Sequence, residues 1–304
     1  MDILKEREKS KLLHHLQLLD KRMDLPIDQK RYLYNLEKGL EGERSFDALV
    51  KTQINGECIV LNDLLLVING TTIQIDTLMI TAEGVRIYEV KNYKGNYKIQ
   101  SGRLLTLSGQ EVLNPLAQLD RSLIKLKQLF HTLNVEINLM GQAVFVNPSF
   151  FLYNADINDA FIYSGQLINH LSEISKKMTH ISKEHHLLAE KLMKMHTTEA
   201  AYEKELPAYD FPSLKKNVFC VACGSPDIKL TQRSSQCRQC LTKTTIEKIC
   251  LKNIGDLKVL FPDKTLTTAV ASEWCGERIG SKRMRHILKN NFKQKGRTSA
   301  TYYD

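Results

Sequence analysis

Two acidic residues and a lysine within TTIQIDTLMI and GVRIYEVKNYKG carry the sharpest chemical signal in the chain. Alternate residues of a strand face the same way, so Glu89 and Lys91 project from one face and Tyr88 and Val90 from the other. Asp76 falls mid-strand beside Ile75 and Leu78, where a carboxylate is costly unless something pairs with it. Two carboxylates converging from adjacent strands can hold Mg²⁺ or Mn²⁺ through oxygen, with water completing the shell. A lysine one pleat away can then orient or deprotonate an attacking water and offset charge on a scissile phosphate. That is phosphodiester hydrolysis chemistry. The same residues also read as an Asp at a strand edge with Glu and Lys facing solvent, and spacing by itself favours that plainer reading.

A second chemistry lies in Cys220-x-x-Cys223 and Cys237-x-x-Cys240, with thirteen residues between the pairs. CVACG and CRQCL each close a tight knuckle, and Gly224, Pro226 and Asp227 supply a turn. This is the spacing of a four-thiolate zinc ribbon, whose Zn²⁺ is structural because no position remains for water. A redox Cys-x-x-Cys is the alternative, but two such pairs at this distance are rarely both redox sites. Cys58, Cys250 and Cys275 bring the total to seven. An odd, scattered set is no secreted disulfide framework.

These residues need a sheet and helices to position them. Cys58–Val67 runs apolar into Asn69-Gly70, a strong hairpin signal, with Thr71–Ile80 as the return strand. Val85–Lys91 is a third predicted strand, and Tyr97–Leu107 forms one or two more around Ser101-Gly102. Asn114 as N-cap and Pro115 at the first position open a helix whose buried stripe is Leu116, Leu119, Leu123, Leu126, Phe130 and Leu133. Gln142–Val146 and Ala160–Tyr163 are predicted strands and Gln166–Met195 a helix. Helical spacing over Ile3–Leu49 predicts two helices broken near Pro26. The paired histidines His14, His15, His185 and His186 sit on helices, where adjacent residues do not face one site, and are taken as surface residues. Trp274 reads as a core anchor.

With 304 residues, 42% hydrophobic and 25% charged, the chain has room for two or three cores. The charged N-terminus offers no signal-peptide run, and no segment approaches the length of a membrane span. A soluble, cytoplasmic protein without membrane association is expected. The net charge of +9 is uneven: 18 Lys and Arg face 7 Asp and Glu from Ser213 onward, against 25 facing 27 before it. A basic last third points to phosphate-rich partners. Within it, LTTAVASEWCGERIGSKRMRHILKNNF reads as helix, glycine turn, helix, a helix-turn-helix pattern. Lys282, Arg283, Arg285, His286 and Lys289 would face nucleic-acid phosphates from the second helix. A small helical cap with a solvated basic face is the simpler alternative.

The acidic constellation, D-(x)12-ExK after a hairpin, resembles the PD-(D/E)xK nuclease core, and the chain more specifically resembles the nuclease-related domain, NERD. Gly39-Leu-Glu-Gly-Glu43, Gln74-Ile-Asp76, Tyr88-Glu-Val-Lys-Asn92 with Lys94-Gly95, and Asn114-Pro115 with Gln118 carry the resemblance, in family order. It implies Asp76 and Glu89 as Mg²⁺ or Mn²⁺ ligands, the Val90 carbonyl as a third, and Lys91 as the catalytic lysine. Glu43 would be an accessory acid reaching the metal or its water, and Gln118 would position the phosphate, unless it is a capping or surface glutamine. Thr77 departs from the pattern, standing where a histidine often follows the aspartate, and this weakens the expectation of activity. The implied fold is α/β, a restriction-endonuclease-like mixed sheet flanked by helices, plus a small zinc ribbon and a helix-turn-helix-like element. The expected division is an N-terminal helix (1–29), the nuclease-like domain (30–196), a linker (197–217), the zinc ribbon (218–250) and the basic region (251–304). The implied function is metal-dependent DNA hydrolysis; the alternative is a non-catalytic DNA- or RNA-binding protein on a nuclease-like scaffold. DNA is preferred to RNA as partner. The chain lacks a G-x-x-x-x-G-K-[ST] loop, so a helicase or other DNA-processing protein is an expected partner.

Overall fold

The computed structural model describes residues 1–156, 160–198, 206–297 and 300–304. The expected linker lies partly outside them, at 199–205. The chain forms two compact units, Met1–Lys9 with Tyr34–Ala201 and Ser10–Leu33 with Tyr202–Asp304.

The chain opens on a strand, β1 (Asp2–Lys5), where helical spacing predicts a helix. So short a helix is marginal in water, and an open sheet edge satisfies these backbone groups instead. Helix α1 (Lys11–Arg22) is capped by Ser10, whose Oγ accepts from Leu13 N, and belongs to the second unit. Helix α2 (Ile27–Gln53) starts directly after Pro26. Strands β2 (Ile59–Ile68) and β3 (Thr71–Thr81) form the predicted hairpin, with Asn69 and Gly70 at φ 48° and 70°, as a two-residue type I′ turn requires. β4 (Gly84–Lys91) pairs antiparallel with β3.

The next segment builds a side sheet. β5 (Gly95–Gln100) and β6 (Arg103–Thr106) turn at Ser101-Gly102 as predicted, and β7 (Glu111–Val112) adds to β6. Helix α3 (Pro115–Thr132) has the predicted cap, with Asn114 Oδ1 accepting from Leu116 N. β8 (Leu139–Phe145) then lies parallel to β4, β9 (Phe150–Tyr153) joins the side sheet beside β5, and β10 (Phe161–Tyr163) lies parallel to β8. The main sheet reads β1-β2-β3-β4-β8-β10, with β1 parallel to β2.

Helices cover both faces of this mixed sheet. α3 packs Leu119, Leu126 and Phe130 on one face, against Leu61, Leu64, Ile75, Leu78 and Ile87. α2 packs Phe46 and Val50 on the other, with Ile54 just past its end, against Val60, Met79, Tyr88 and Val144. The predicted single helix over Gln166–Met195 is two, α4 (Leu167–Lys177) and α5 (Lys183–Met195). The break has a packing cause: Leu167 and Leu171 join the α2 face, whereas Leu188 and Leu192 join the α3 face. One straight helix cannot lie on both sides of a sheet.

In the second unit, β11 (Ile228–Leu230), β12 (Ser234–Cys237) and β13 (Lys243–Thr245) form a small antiparallel sheet. Helix α6 (Ile246–Leu260), absent from the sequence expectation, follows an N-cap at Thr245. Its buried residues Ile246, Ile249, Asn253, Ile254 and Leu257 have plain helical spacing. α7 (Thr268–Trp274) and α8 (Ser281–Asn291) are the predicted pair, and β14 (Gln294–Lys295) with β15 (Tyr302–Tyr303) follows. Trp274 is the expected core anchor, fully buried, with the Arg22 guanidinium 3.7 Å from its ring centroid. Its Nε1 donates to the Asn253 carbonyl at 2.8 Å. The Asn253 side chain accepts from Phe219 N and Arg22 and donates to the Phe219 and Ile249 carbonyls. Among the described residues no helix is long and apolar enough to cross a membrane.

Losing a fully buried amide strands its partners, so Asn253→Ala should destabilise the second unit by about 2–3 kcal/mol. Trp274 is the single tryptophan, so its fluorescence during denaturant unfolding reports this unit. An unshifted transition would show that the amide network contributes little.

Candidate functional site

The ladder between β3 and β4 ends at the pair Thr77↔Tyr88, and the strands part at Asp76 and Glu89. Strand alternation also breaks there, because Ile75 and Leu78 pack into the same core face. Across the hairpin, Asp63 takes φ 52° and interrupts the register opposite Asp76. Asp76 Oδ2 accepts from Val90 N at 2.7 Å, which clamps the carboxyl to β4 between Glu89 and Lys91. Lys91 Nζ pairs with Glu89 Oε1 at 2.6 Å. Asp76 and Glu89 are 9% and 6% exposed, so both are core carboxylates rather than solvent-facing ones.

A residue that the sequence reading passed over holds the cluster together. Arg7, just beyond β1, donates to Glu43 Oε2 at 2.9 Å and to both Asp47 oxygens at 2.8 and 3.1 Å. It also donates to the Asp76 carbonyl at 2.6 Å and to Thr77 Oγ1 at 3.1 Å. One guanidinium therefore ties α2 to β3, and Thr77 is part of its seat. In sequence Arg7 lies within KEREK, where every neighbour suggests solvent. Gly42 lets α2 approach this closely: a Cβ there would stand 2.5 Å from that of Asn92. Asn92 in turn donates to the Lys38 carbonyl and accepts from Asn147.

Burial pushes the Asp76 carboxyl well above the usual carboxylate range, and Glu89 and Glu43 push it the same way. Burial also raises Glu43, against the pull of Arg7. Burial opposes the charge of Lys91, but Glu89, Tyr93 and Asp76 together outweigh it and raise the ammonium. Ionised together, the four carboxylates Glu43, Asp47, Asp76 and Glu89 would exceed the two cations Arg7 and Lys91 by two charges, and burial resists that excess by raising Asp76 and Glu43. The acids do not approach one another as a close trio.

Glu43, Asp76, Glu89, Lys91 and Gln118 line one cavity of about 830 Å³, so the five predicted site residues meet although they come from four elements. Tyr34, Lys38, Tyr93, Lys94 and Tyr97 line its walls. Gln118 is no surface residue: its Oε1 is buried and has no protein partner among the described residues.

In the second unit the four cysteine sulfurs lie within 4.8 Å of one another, the one such group of three or more ligand side chains among the described residues. The Cys220–Cys240 and Cys223–Cys237 sulfurs are 3.6 Å apart. The edge of a tetrahedron with metal–sulfur bonds of about 2.3 Å is about 3.8 Å, so the cluster fits a single ion. Hydrogen bonding with Thr242 draws the Cys240 thiol down to about 6, while, against a hydrogen bond with Ser225, burial and the neighbouring cysteines push Cys223 up to about 12. On α8, Lys282, Arg285 and Lys289 are exposed, while Met284, Ile287 and Leu288 are buried as predicted. Arg283 differs from its expected place on the free basic face: it donates to the Gln232 carbonyl and braces the ribbon.

Arg7→Met removes the only cation facing Glu43 and Asp47 among the described residues. Breaking a buried pair from one side costs about 3–5 kcal/mol. Urea unfolding followed by circular dichroism should show a loss of that size in the first unit at pH 7. The loss should shrink as pH falls and Glu43 takes up a proton. Arg7→Lys should recover only part of it, because an ammonium lacks the guanidinium's fork.

No curated protein and no solved structure matches the chain. Residues 38–148 match the family model described as NERD, nuclease-related domain. That span contains Glu43, Asp76, Glu89, Lys91 and Gln118 and excludes Arg7, and it makes this part of the chain a nuclease-related domain.

Proposed function

We propose that the chain is a metal-dependent nuclease that hydrolyses DNA phosphodiester bonds, with the cut made in the first unit and affinity added by the second. The observation that carries this reading is the convergence of Asp76, Glu89 and Lys91 in one cavity, with the two acids buried and short of positive charge. Asp76 and Glu89, with the Val90 carbonyl, would hold Mg²⁺ or Mn²⁺. A bound ion polarises the phosphate and lowers the pKa of water. Lys91, held by Glu89, orients the attacking water and offsets charge on the phosphate. Glu43 accepts a hydrogen bond from a water at the cavity edge, and the amide of Gln118 meets a phosphate oxygen.

In the second unit, Zn²⁺ on the four thiolates is a structural staple. The α7–α8 pair serves as a helix-turn-helix-like element, with Lys282, Arg285 and Lys289 on phosphates and Arg283 holding α8 in place. Such contacts make binding steeply salt dependent. DNA rather than RNA, a cytoplasmic setting and a helicase or similar partner belong to the same reading.

Purified protein with Mg²⁺ or Mn²⁺ should cleave DNA, and Asp76→Asn and Lys91→Ala, if folded, should each lose about 10²-fold or more of the rate. Binding without any cleavage by the parent would favour a non-catalytic scaffold. A second test uses the raised Asp76 carboxyl. Its folded pKa lies above the unfolded value, so its contribution to stability is complete below about pH 3.9 and is lost as pH rises through the folded value. Asp76→Asn should therefore raise the metal-free melting temperature, by more at pH 8 than at pH 5. Parent affinity for Mg²⁺ should rise with pH over the same range, because binding displaces a proton. Equal melting temperatures for parent and variant at pH 8 would remove the argument that the carboxylate is strained without metal.

A further inference from the structure

Resting on the reading of this cavity as a nucleic-acid site, we propose that it takes an unpaired DNA strand, whose bases stack on tyrosine rings of the cavity wall, and not an intact duplex. Asp76 and Glu89 in its lining are each more than nine-tenths buried. The cavity that holds them is lined by two tyrosine–lysine groups of matching composition. One group is Tyr34 and Lys38, a helical turn apart on α2; the other is Tyr93, Lys94 and Tyr97, where β4 runs into β5.

Tyrosine beside lysine in both groups supplies what a single strand needs, π-faces for unstacked bases and cations for the backbone. A duplex keeps its bases stacked on each other and offers the rings nothing. The rings are also rigidly mounted. Tyr93 and Tyr97 stack with centroids 5.4 Å apart and planes 20° apart. Tyr97 rests on Phe150 at 5.3 Å, and Phe150 stacks on Phe145 at 4.2 Å. A ring held by the core loses little freedom when a base stacks against it. Tyr34, also in the cavity lining, is 59% exposed.

The test measures binding of the full chain, without added Mg²⁺ or Mn²⁺, to a labelled thymidine oligonucleotide and to a duplex of equal length by fluorescence anisotropy. Tyr34→Ala and Tyr97→Leu should each weaken single-strand binding about tenfold or more. Tyr97→Phe should preserve it, and duplex binding should stay unchanged in all three. Tyr34→Ala, at an exposed position, carries the test if Tyr97→Leu does not fold. Equal losses on both substrates, or no loss on either, overturn the proposal. Cleavage with Mn²⁺ separates it from the nuclease reading. A chain that cuts neither substrate but keeps the ring-dependent preference refutes the nuclease and retains the unpaired-strand site. One that cuts duplex as fast as single strand, unaffected by Tyr34→Ala, does the reverse.

Discussion

Four carboxylates gathered at one end of a β-sheet repel one another and resist burial, and the first unit is arranged around that constraint. Its main answer is Arg7. The parallel pairing of β1 with β2 brings this guanidinium in from outside the nuclease-related segment, and its donors span Glu43, Asp47 and the backbone of β3. Gly42 is small so that α2 can come close enough to be held, and the Val90 amide fixes the Asp76 carboxyl directly. Ionised together, the four acids would still leave two negative charges unmatched. Uncompensated charge in a core destabilises a protein with no ligand bound, and its persistence at one point of a sheet is the pattern expected where function outweighs stability.

The layers around the sheet give that point its precision. α3 enters through a proline-preset first turn, and the Asn114 cap sets where Gln118 stands. α4 and α5, one on each face, close the two cores beneath the site. The side sheet contributes Phe150 and Tyr97, which with Phe145 at the end of β8 and Tyr93 ahead of β5 form a continuous aromatic cluster reaching the cavity lining. Side chains mounted on strands and helix ends hold their geometry better than those on free loops.

The second unit meets a different difficulty in its ribbon, whose strands have only three or four residues. Such scaffolds need staples. The cysteine cluster is one, and the Asn253 network is another, joining α6 to Phe219, Arg22 and Trp274. Burial lowers Arg22 to about 10, and packing over the Trp274 and Phe219 rings compensates part of its lost hydration.

Much of this was legible in the residues because it depends on short-range rules. Asn69-Gly70 specifies a hairpin, Asn114-Pro115 a helix start, two Cys-x-x-Cys pairs a metal knuckle, and alternation puts Glu89 with Lys91. The ordered motifs carried the family, and with it the five residues that meet in the cavity. Helix α6 is equally local, since the apolar spacing of Ile246, Ile249, Ile254 and Leu257 is plainly helical. Other features were beyond any local rule. Ile3 and its neighbours suit a helix in isolation, and only the open edge of β2 makes them a strand. The break between α4 and α5 exists because a sheet has two faces to cover. Arg7 looks like one charge among many until the fold buries it against α2, and Arg283 looks free until Gln232 stands opposite. The sequence by itself determined which chemical groups are present and the local turns and caps that space them. The tertiary structure decided which charges lose their water and which partners they then require, because burial and pairing depend on residues far apart in the chain.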